Sequence, residues 1–257
     1  MNYGLYLSAS GVLTNMYRQD VFANNLANAN TVGFKRDVPA IQQRAPESIE
    51  GHHGFDVGNA LLDRLGGGVL AGPQRISFAP SPLEQTGNLL DLALEDPEAF
   101  FAVLTDGSNT PALTRDGRLT RNHEGLLVTV AGGHPLLDAN DNLIQLSPDA
   151  PVEIDNSGRI HQQGAVIAQL QITGVSDLAR LVKAGENLFK FDGPQDLRRP
   201  ADRALVKVGF VEGSGVDPIK ALLQLVAATK AITGNGNLIR YHDQLMDRAV
   251  NVLGRVG

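Results

Sequence analysis

Leu225, Ile232, Ile239, Met246 and Leu253 follow one another at intervals of seven residues towards the end of the chain. Seven residues bring a side chain back to nearly the same side of an α-helix, so these five form a narrow apolar seam of the kind that two helices share. Such a seam cannot bury itself, and the helix needs a partner to be ordered. The companion column three residues on, Ala228, Asn235, His242 and Ala249, is weak, and Leu238, Leu245 and Val252 widen the stripe only in its second half. Gly234-Asn235-Gly236-Asn237 sits in the middle. Each interior Gly costs about 1 kcal/mol relative to Ala, so the segment reads as one helix or as two half-helices. Asp217 and Pro218, after Gly213 and Gly215, supply an N-cap and a first-turn proline.

The beginning of the chain mirrors the end. Leu5, Ala9, Val12, Met16, Ala23 and Leu26 fall on one helical stripe interrupted by Gln19. The helix is expected to stop in the run Asn24-Asn25-Leu26-Ala27-Asn28-Ala29-Asn30-Thr31-Val32-Gly33, since Asn tolerates left-handed backbone and Gly33 permits a positive φ. Between the ends the texture changes to short apolar runs separated by turn pairs such as Asp116-Gly117, Glu124-Gly125 and Ser157-Gly158. Leu126 to Ala131 and Leu205 to Val211 read as strands, and Val166, Ala168, Leu170 and Ile172 alternate at period two. The expected class is α+β: a central antiparallel β domain flanked by N- and C-terminal helices that pair with each other or with neighbouring subunits. The expected divisions are 1–44 (helix and Asn-rich motif), 45–70 (Gly-rich connector), 71–212 (β domain) and 213–257 (C-terminal helix).

Composition narrows the function. The net charge is −6 from 22 basic and 28 acidic residues, with residues 45–215 at −10 and each end at about +2. That balance argues against nucleic acid as a partner. The absence of cysteine removes disulfides, thiolate metal sites and cysteine nucleophiles. Neither a cleavable signal nor an apolar run long enough to insert in a membrane is expected.

Candidate chemistry fails on inspection. Asp138, Asn140 and Asn142 have calcium-loop spacing, but Leu143 stands where that loop needs Gly and Asp149 where it needs Glu, so a hairpin turn is expected. His52-His53 project apart within a Gly-flanked loop. Gly213-Ser214-Gly215 lacks the frame of a nucleophile elbow, and Gly66-Gly67-Gly68 lacks the residues of a phosphate loop. No catalytic, cofactor-binding or metal-binding residues are expected, and the chain is read as not an enzyme.

The run from Asn24 through Gly33 and on to Phe34-Lys35-Arg36 resembles the N-terminal signature of the bacterial flagellar rod and hook family. Three further stretches agree in order. Leu83-Glu84-Gln85-Thr86-Gly87-Asn88 to Leu94 is similar to the family's approach to its β domain. Leu113-Thr114-Arg115-Asp116-Gly117-Arg118-Leu119 is similar to its strand pair, with Leu113 in place of the usual Tyr. Glu212-Gly213-Ser214-Gly215-Val216-Asp217-Pro218 resembles its lead into the C-terminal helix. Two departures stand out: Glu95-Asp96-Pro97-Glu98-Ala99 replaces a Gly-x-Gly turn before Phe100-Phe101, and Lys230-Ala231-Ile232 replaces an Arg-Ala-Tyr core.

The resemblance implies a structural subunit of the flagellar basal-body rod that self-assembles into a helical axial tube and transmits torque. It implies export by the flagellar type III apparatus, without a cleaved signal peptide, to the periplasmic part of the basal body. The implied partners are the chain itself, other axial rod and hook subunits and the export apparatus. The Glu95–Ala99 departure and the Leu5-Tyr6 start favour the proximal over the distal rod, whereas the connector at 45–70 is more like the distal form. The implied assembly residues are Asn24, Asn25, Leu26, Asn28, Asn30, Thr31, Gly33 and Phe34, together with the seam Leu225, Ile232, Ile239, Met246 and Leu253. The other reading is a soluble β-domain module that binds a ligand or peptide in a fixed pocket.

Overall fold

A computed structural model describes residues 3–45, 66–105, 110–148, 150–194, 198–201 and 205–253. The chain is α+β and forms two compact units, Met1–Ala27 with Asp37–Arg75 and Pro218–Gly257, and Asn28–Arg36 with Ile76–Asp217.

The first unit is built on helix α1, Tyr3–Ala27, and helix α2, Pro218–Arg248, which pack against each other. α2 begins at Pro218, as the Asp-Pro pair predicts. It runs unbroken through Gly234 and Gly236 as one helix, and a π-helical turn follows over Ala249–Leu253. The helices are antiparallel, because Gly4 lies against the imidazole of His242 while Gly11 lies against the amide of Asn235. A Cβ at either glycine would sit 2.7 Å from that side chain, so α1 approaches α2 where α1 has no side chain to hold it away. Ala228 and Ala221 are buried on the same side of α2. The column that looks too weak for a seam, Ala228, Asn235 and His242, is therefore where α1 comes closest, since short or planar side chains fit against glycine.

The burial of α1 also departs from its apolar stripe. Met16 and Ala23 are exposed and Leu5, Ala9, Val12 and Leu26 are only half-buried, whereas Ser8, Thr14, Val21, Phe22 and Asn25 are buried. Ser8 and Thr14 can sit inside because their hydroxyls donate to the carbonyls of Gly4 and Ser10 one turn back. Thr14 and Tyr17 also donate to the carbonyls of Val69 and Gly72. Val69 opens, and Gly72 follows, a strand, Val69–Ala71, that pairs with Ile41–Gln43. Of the expected connector, only Ala45 and Gly66–Leu70 belong to the described residues.

The second unit is the β body. Its largest sheet has six strands in the spatial order Leu181–Gly185, Leu188–Phe191, Ala112–Thr114, Ala99–Val103, Ile172–Val175 and Arg198–Pro200, and every pair is antiparallel. Strand Ala99–Val103 is buried along its length because alternate residues feed two clusters. Phe101 and Val103 join Leu92, Leu119, Leu127, Ile144 and Ile160, while Phe100 packs with Phe78, Phe189 and Leu113. The three Phe ring centroids of that second cluster are 5.5–5.9 Å apart, the separation that offset and edge-on aromatic pairs favour.

Two expected strands are each divided. The run from Val166 to Ile172 becomes Ala165–Gln169 and Ile172–Val175, with Val166 exposed and Ile172 buried. The run from Leu205 to Val211 becomes Val206–Val208 and Phe210–Glu212, separated by Gly209 at φ +81°.

The mid-helix glycines yield the first prediction. A Cβ at Gly234 or Gly236 meets nothing within 4 Å, so within this chain only helix propensity is at stake. Gly234→Ala or Gly236→Ala should each stabilise the helical unit by about 1 kcal/mol. Tyr3, Tyr6, Tyr17 and Tyr241 all lie in the helices, so urea titration followed by tyrosine fluorescence measures the effect.

Candidate functional site

Four separate stretches of sequence converge in the β body. Asn28–Arg36 directly follows α1 in the chain and 212–217 directly precedes α2; inside the body they run side by side against 77–83 and 113–118. Their backbones are tied directly. Gly33 N–H donates to the Glu212 carbonyl at 2.6 Å, Gly215 N–H to the Phe34 carbonyl at 2.8 Å, and Gly213 N–H to the Pro82 carbonyl at 2.8 Å. The Ser214 hydroxyl donates to the Asn28 carbonyl, and the Asn187 amide donates to the Val32 carbonyl.

Three buried charges lie at the centre. Lys35 is fully buried, and its Nζ is 2.6 Å from Glu212 Oε1. Arg115 Nε lies 2.9 Å from Glu212 Oε2, an ion pair without hydrogen-bond alignment, and its side chain is 2% exposed against 3% for Glu212. Lys35 also donates to the Ala79 carbonyl, and Arg115 donates to the carbonyls of Asp96 and Ala99 with its guanidinium over the Phe100 ring. One carboxylate thus serves two cations. Burial holds the Lys35 ammonium below its ordinary pKa, with Glu212 offsetting part of that effect, and burial lowers Arg115 in the same way.

Two glycines allow the stretches to come this close. Gly33 has φ +70°, and a Cβ there would lie 2.7 Å from the Arg115 carbonyl. At Gly117 a Cβ would lie 1.7 Å from the Leu92 carbonyl oxygen. Asp116, between Arg115 and Gly117, is buried and held by Arg118 Nη2 at 2.6 Å, and this hydrogen bond raises the Arg118 pKa.

The Asn-rich residues divide between two structural tasks. Asn25 is buried; its amide donates to the Asp37 carbonyl at 2.7 Å and its oxygen accepts from Asp37 N–H at 2.8 Å, which returns the chain against α1. Asn28 closes the turn after α1 by accepting from the Thr31 backbone and hydroxyl. Gly33 and Phe34 are buried, Leu26 is half-buried, and Asn24 and Asn30 are exposed. Along α2, Leu225, Ile232 and Ile239 are half-buried and Met246 is 48% exposed, while the Leu253 side chain lies outside the described residues.

Lys35, Arg115 and Glu212 escape sequence reasoning although all three lie inside the stretches quoted above. A lone charge in a polar run reads as solvated, and nothing local pairs residue 35 with residue 212. The candidate calcium loop is a turn, as expected: the Asp138 carboxylate accepts from the backbone N–H groups of Asn140 and Asn142. His52-His53 lie outside the described residues.

The family described as flagella basal body rod protein matches residues 5–35, which contain Gly33 and Lys35 of this junction. The flagellar basal-body rod protein FlgF of Rhizobium meliloti is 32% identical, with 99% of each chain covered. This chain belongs to the flagellar basal-body rod family. FlgF of Caulobacter vibrioides is 29% identical over the full length of both chains. FlgG of Bacillus subtilis is 28% identical over 96% of this chain and 98% of its own. The resemblance carried by the Asn-rich run is thereby matched across the whole length of the rod proteins.

Two predictions follow from the junction. Gly33→Ala would set a Cβ against the Arg115 backbone at a positive φ, so it should destabilise the β body by about 2 kcal/mol or more in urea unfolding. The second concerns pH. A lysine that loses its proton more readily in the folded than in the unfolded chain contributes stability that grows as pH rises from the lowered folded pKa to the ordinary value of about 10.4. Paired urea titrations of the wild type and Lys35→Met should therefore shift in favour of the wild type across that alkaline interval.

Proposed function

We propose that this rod-family chain is a structural subunit that builds a flagellar axial tube, with its terminal helices in the subunit contacts. The carrying observation is that α2 is apolar on two sides. Ala221 and Ala228 are buried, while Ile219, Leu222, Leu223 and Val226, and further along Tyr241 and Leu245, are exposed. A helix with apolar residues on two sides is suited to burial on both, and α1 covers one of them. The half-buried seam residues Leu225, Ile232 and Ile239 then help to hold α1, Met246 is partly exposed, and the outer side is left for neighbouring subunits. In the N-terminal run Asn24 and Asn30 are exposed on the side proposed to meet such neighbours, whereas Asn25, Leu26, Asn28, Thr31, Gly33 and Phe34 act by fixing the turn from which α1 departs.

The charged centre of the junction supports a structural and not a catalytic role, because Lys35, Arg115 and Glu212 are closed to solvent and to any substrate. The other reading, a ligand-binding module, would use the groove of about 650 Å³ lined by Arg159, Gln171, Thr173 and Arg199. Membership in a family of rod proteins favours assembly over that reading. The proximal rod position, torque transmission, partnership with other axial subunits and the export apparatus, and a periplasmic site reached without a cleaved signal peptide complete the proposal. For the proximal position the support is the Glu95–Ala99 turn and the Leu5-Tyr6 start. The expected divisions at 44, 70 and 212 remain the proposed organisation of the chain.

Leu223→Asp and Tyr241→Asp test this reading on the outer side of α2. Both purified variants should keep the wild-type urea midpoint and yet fail to enter basal bodies when expressed in a strain lacking the wild-type gene. Normal incorporation of both would remove the outer face of α2 from the assembly.

A further inference from the structure

We propose that Lys35, Arg115 and Glu212 form a completion latch, which keeps the β body from closing until the segment just before α2 is in place. Lys35 and Glu212 are 177 positions apart in the chain, yet their side chains meet at 2.6 Å in the interior. Before Glu212 arrives, closing the body would bury two cations without the buried carboxylate that touches both, since Asp96, which also attracts Arg115, lies at the surface. Removing one partner of a buried ionic group leaves an uncompensated charge, a far larger penalty than exchanging the whole group for apolar side chains. Two other buried carboxylates of the body are already engaged. Asp116 is engaged bidentately by Arg118, and the carboxylate of Asp91 accepts from the Asn88 amide.

The strand pairing requires the same late arrival. Phe210–Glu212 pairs with Leu83–Gln85, and Val206–Val208 pairs with Leu92–Leu94, so the last two strands of the body complete sheets begun by two early ones. Gly33 N–H and Ser81 N–H both donate to Glu212, to its carbonyl and its carboxylate respectively. The N-terminal motif, the approach to the β domain and the Arg115 turn thus all depend on one late residue. A partial chain that ends before Glu212 lacks the carboxylate that reaches both cations. This inference rests on the geometry of the junction and stands whether or not α2 makes the subunit contacts.

The test uses the full-length chain, with amide hydrogen exchange in Ala99–Val103 reporting the β body and stopped-flow refolding reporting rate. Glu212→Gln keeps the shape and removes the charge, and should lower the folding equilibrium constant by about a hundredfold or more. Lys35→Met leaves a one-to-one pair of Arg115 with Glu212, so it should hold the equilibrium constant within about threefold of the wild type or raise it, and should refold at least as fast. The double variant Lys35→Met/Glu212→Gln should recover about tenfold or more of the loss seen in Glu212→Gln alone, because one of the two stranded cations is gone. Glu212→Asp keeps the charge at shorter reach and remains measurable if Glu212→Gln does not fold; its loss should appear as slower refolding. The latch is overturned if the double variant is no better than Glu212→Gln, if Glu212→Gln folds like the wild type, or if Glu212→Asp only unfolds faster and refolds at the normal rate.

Discussion

Two cations share one carboxylate in the interior of the β body, and the arrangement of the chain around them follows from that constraint. Lys35, Arg115 and Glu212 are all almost fully buried, so each must find its partner inside the protein. Lys35 lies shortly after α1 in sequence and Glu212 shortly before α2, and both are fixed to a strand turn in the middle of the chain. The glycines beside them are spatial requirements of the same cluster: without a Cβ at Gly33 and Gly117, the backbone of one stretch can rest on that of another. A buried ionic group adds little net stability, because its attraction is spent largely on desolvation. Its effect here is to define which segments may lie side by side.

The helical unit is held by a different balance. α1 and α2 meet through small and polar residues, Gly4 and Gly11 against His242 and Asn235, and the Ser8 and Thr14 hydroxyls are satisfied within α1 itself. Many large side chains elsewhere on α2 stay exposed, including Leu223 and Tyr241. In the β body the reverse holds, since Leu, Ile, Val and Phe from almost every strand are enclosed. The body therefore has a dense enclosed core, whereas α2 keeps much of its apolar surface exposed.

The junction also gives a physical reason for the motifs that carry the family resemblance. The Asn-rich run ends α1 and returns the chain through Asn25 and Asn28. The Leu113–Leu119 stretch supplies the Arg115 cation and the two turn residues around Gly117. The Glu212–Pro218 stretch supplies the carboxylate, the paired glycine N–H groups and the start of α2. Each motif reads as unrelated punctuation along the sequence, and together they form one site.

The sequence by itself determined the helix–β–helix order, the start of α2 at Pro218, the stop of α1 within the Asn-rich run Asn24 to Gly33, the left-handed backbone at Gly33 and the turn at Asp138. These are local matters, set by periodicity, by caps and by what a residue's own backbone tolerates. It also carried the family, because the motif stretches keep their order along the chain. Only the tertiary structure decided which residues of α1 are buried, that Asn235 and His242 of the weak column meet the glycines of α1, and that the runs after Val166 and Leu205 each divide into two strands. It alone joined Lys35 and Arg115 to Glu212. A charge pair 177 positions apart leaves no periodic trace, and whether a Ser, Asn or Lys may be buried depends on partners that appear only when distant segments meet.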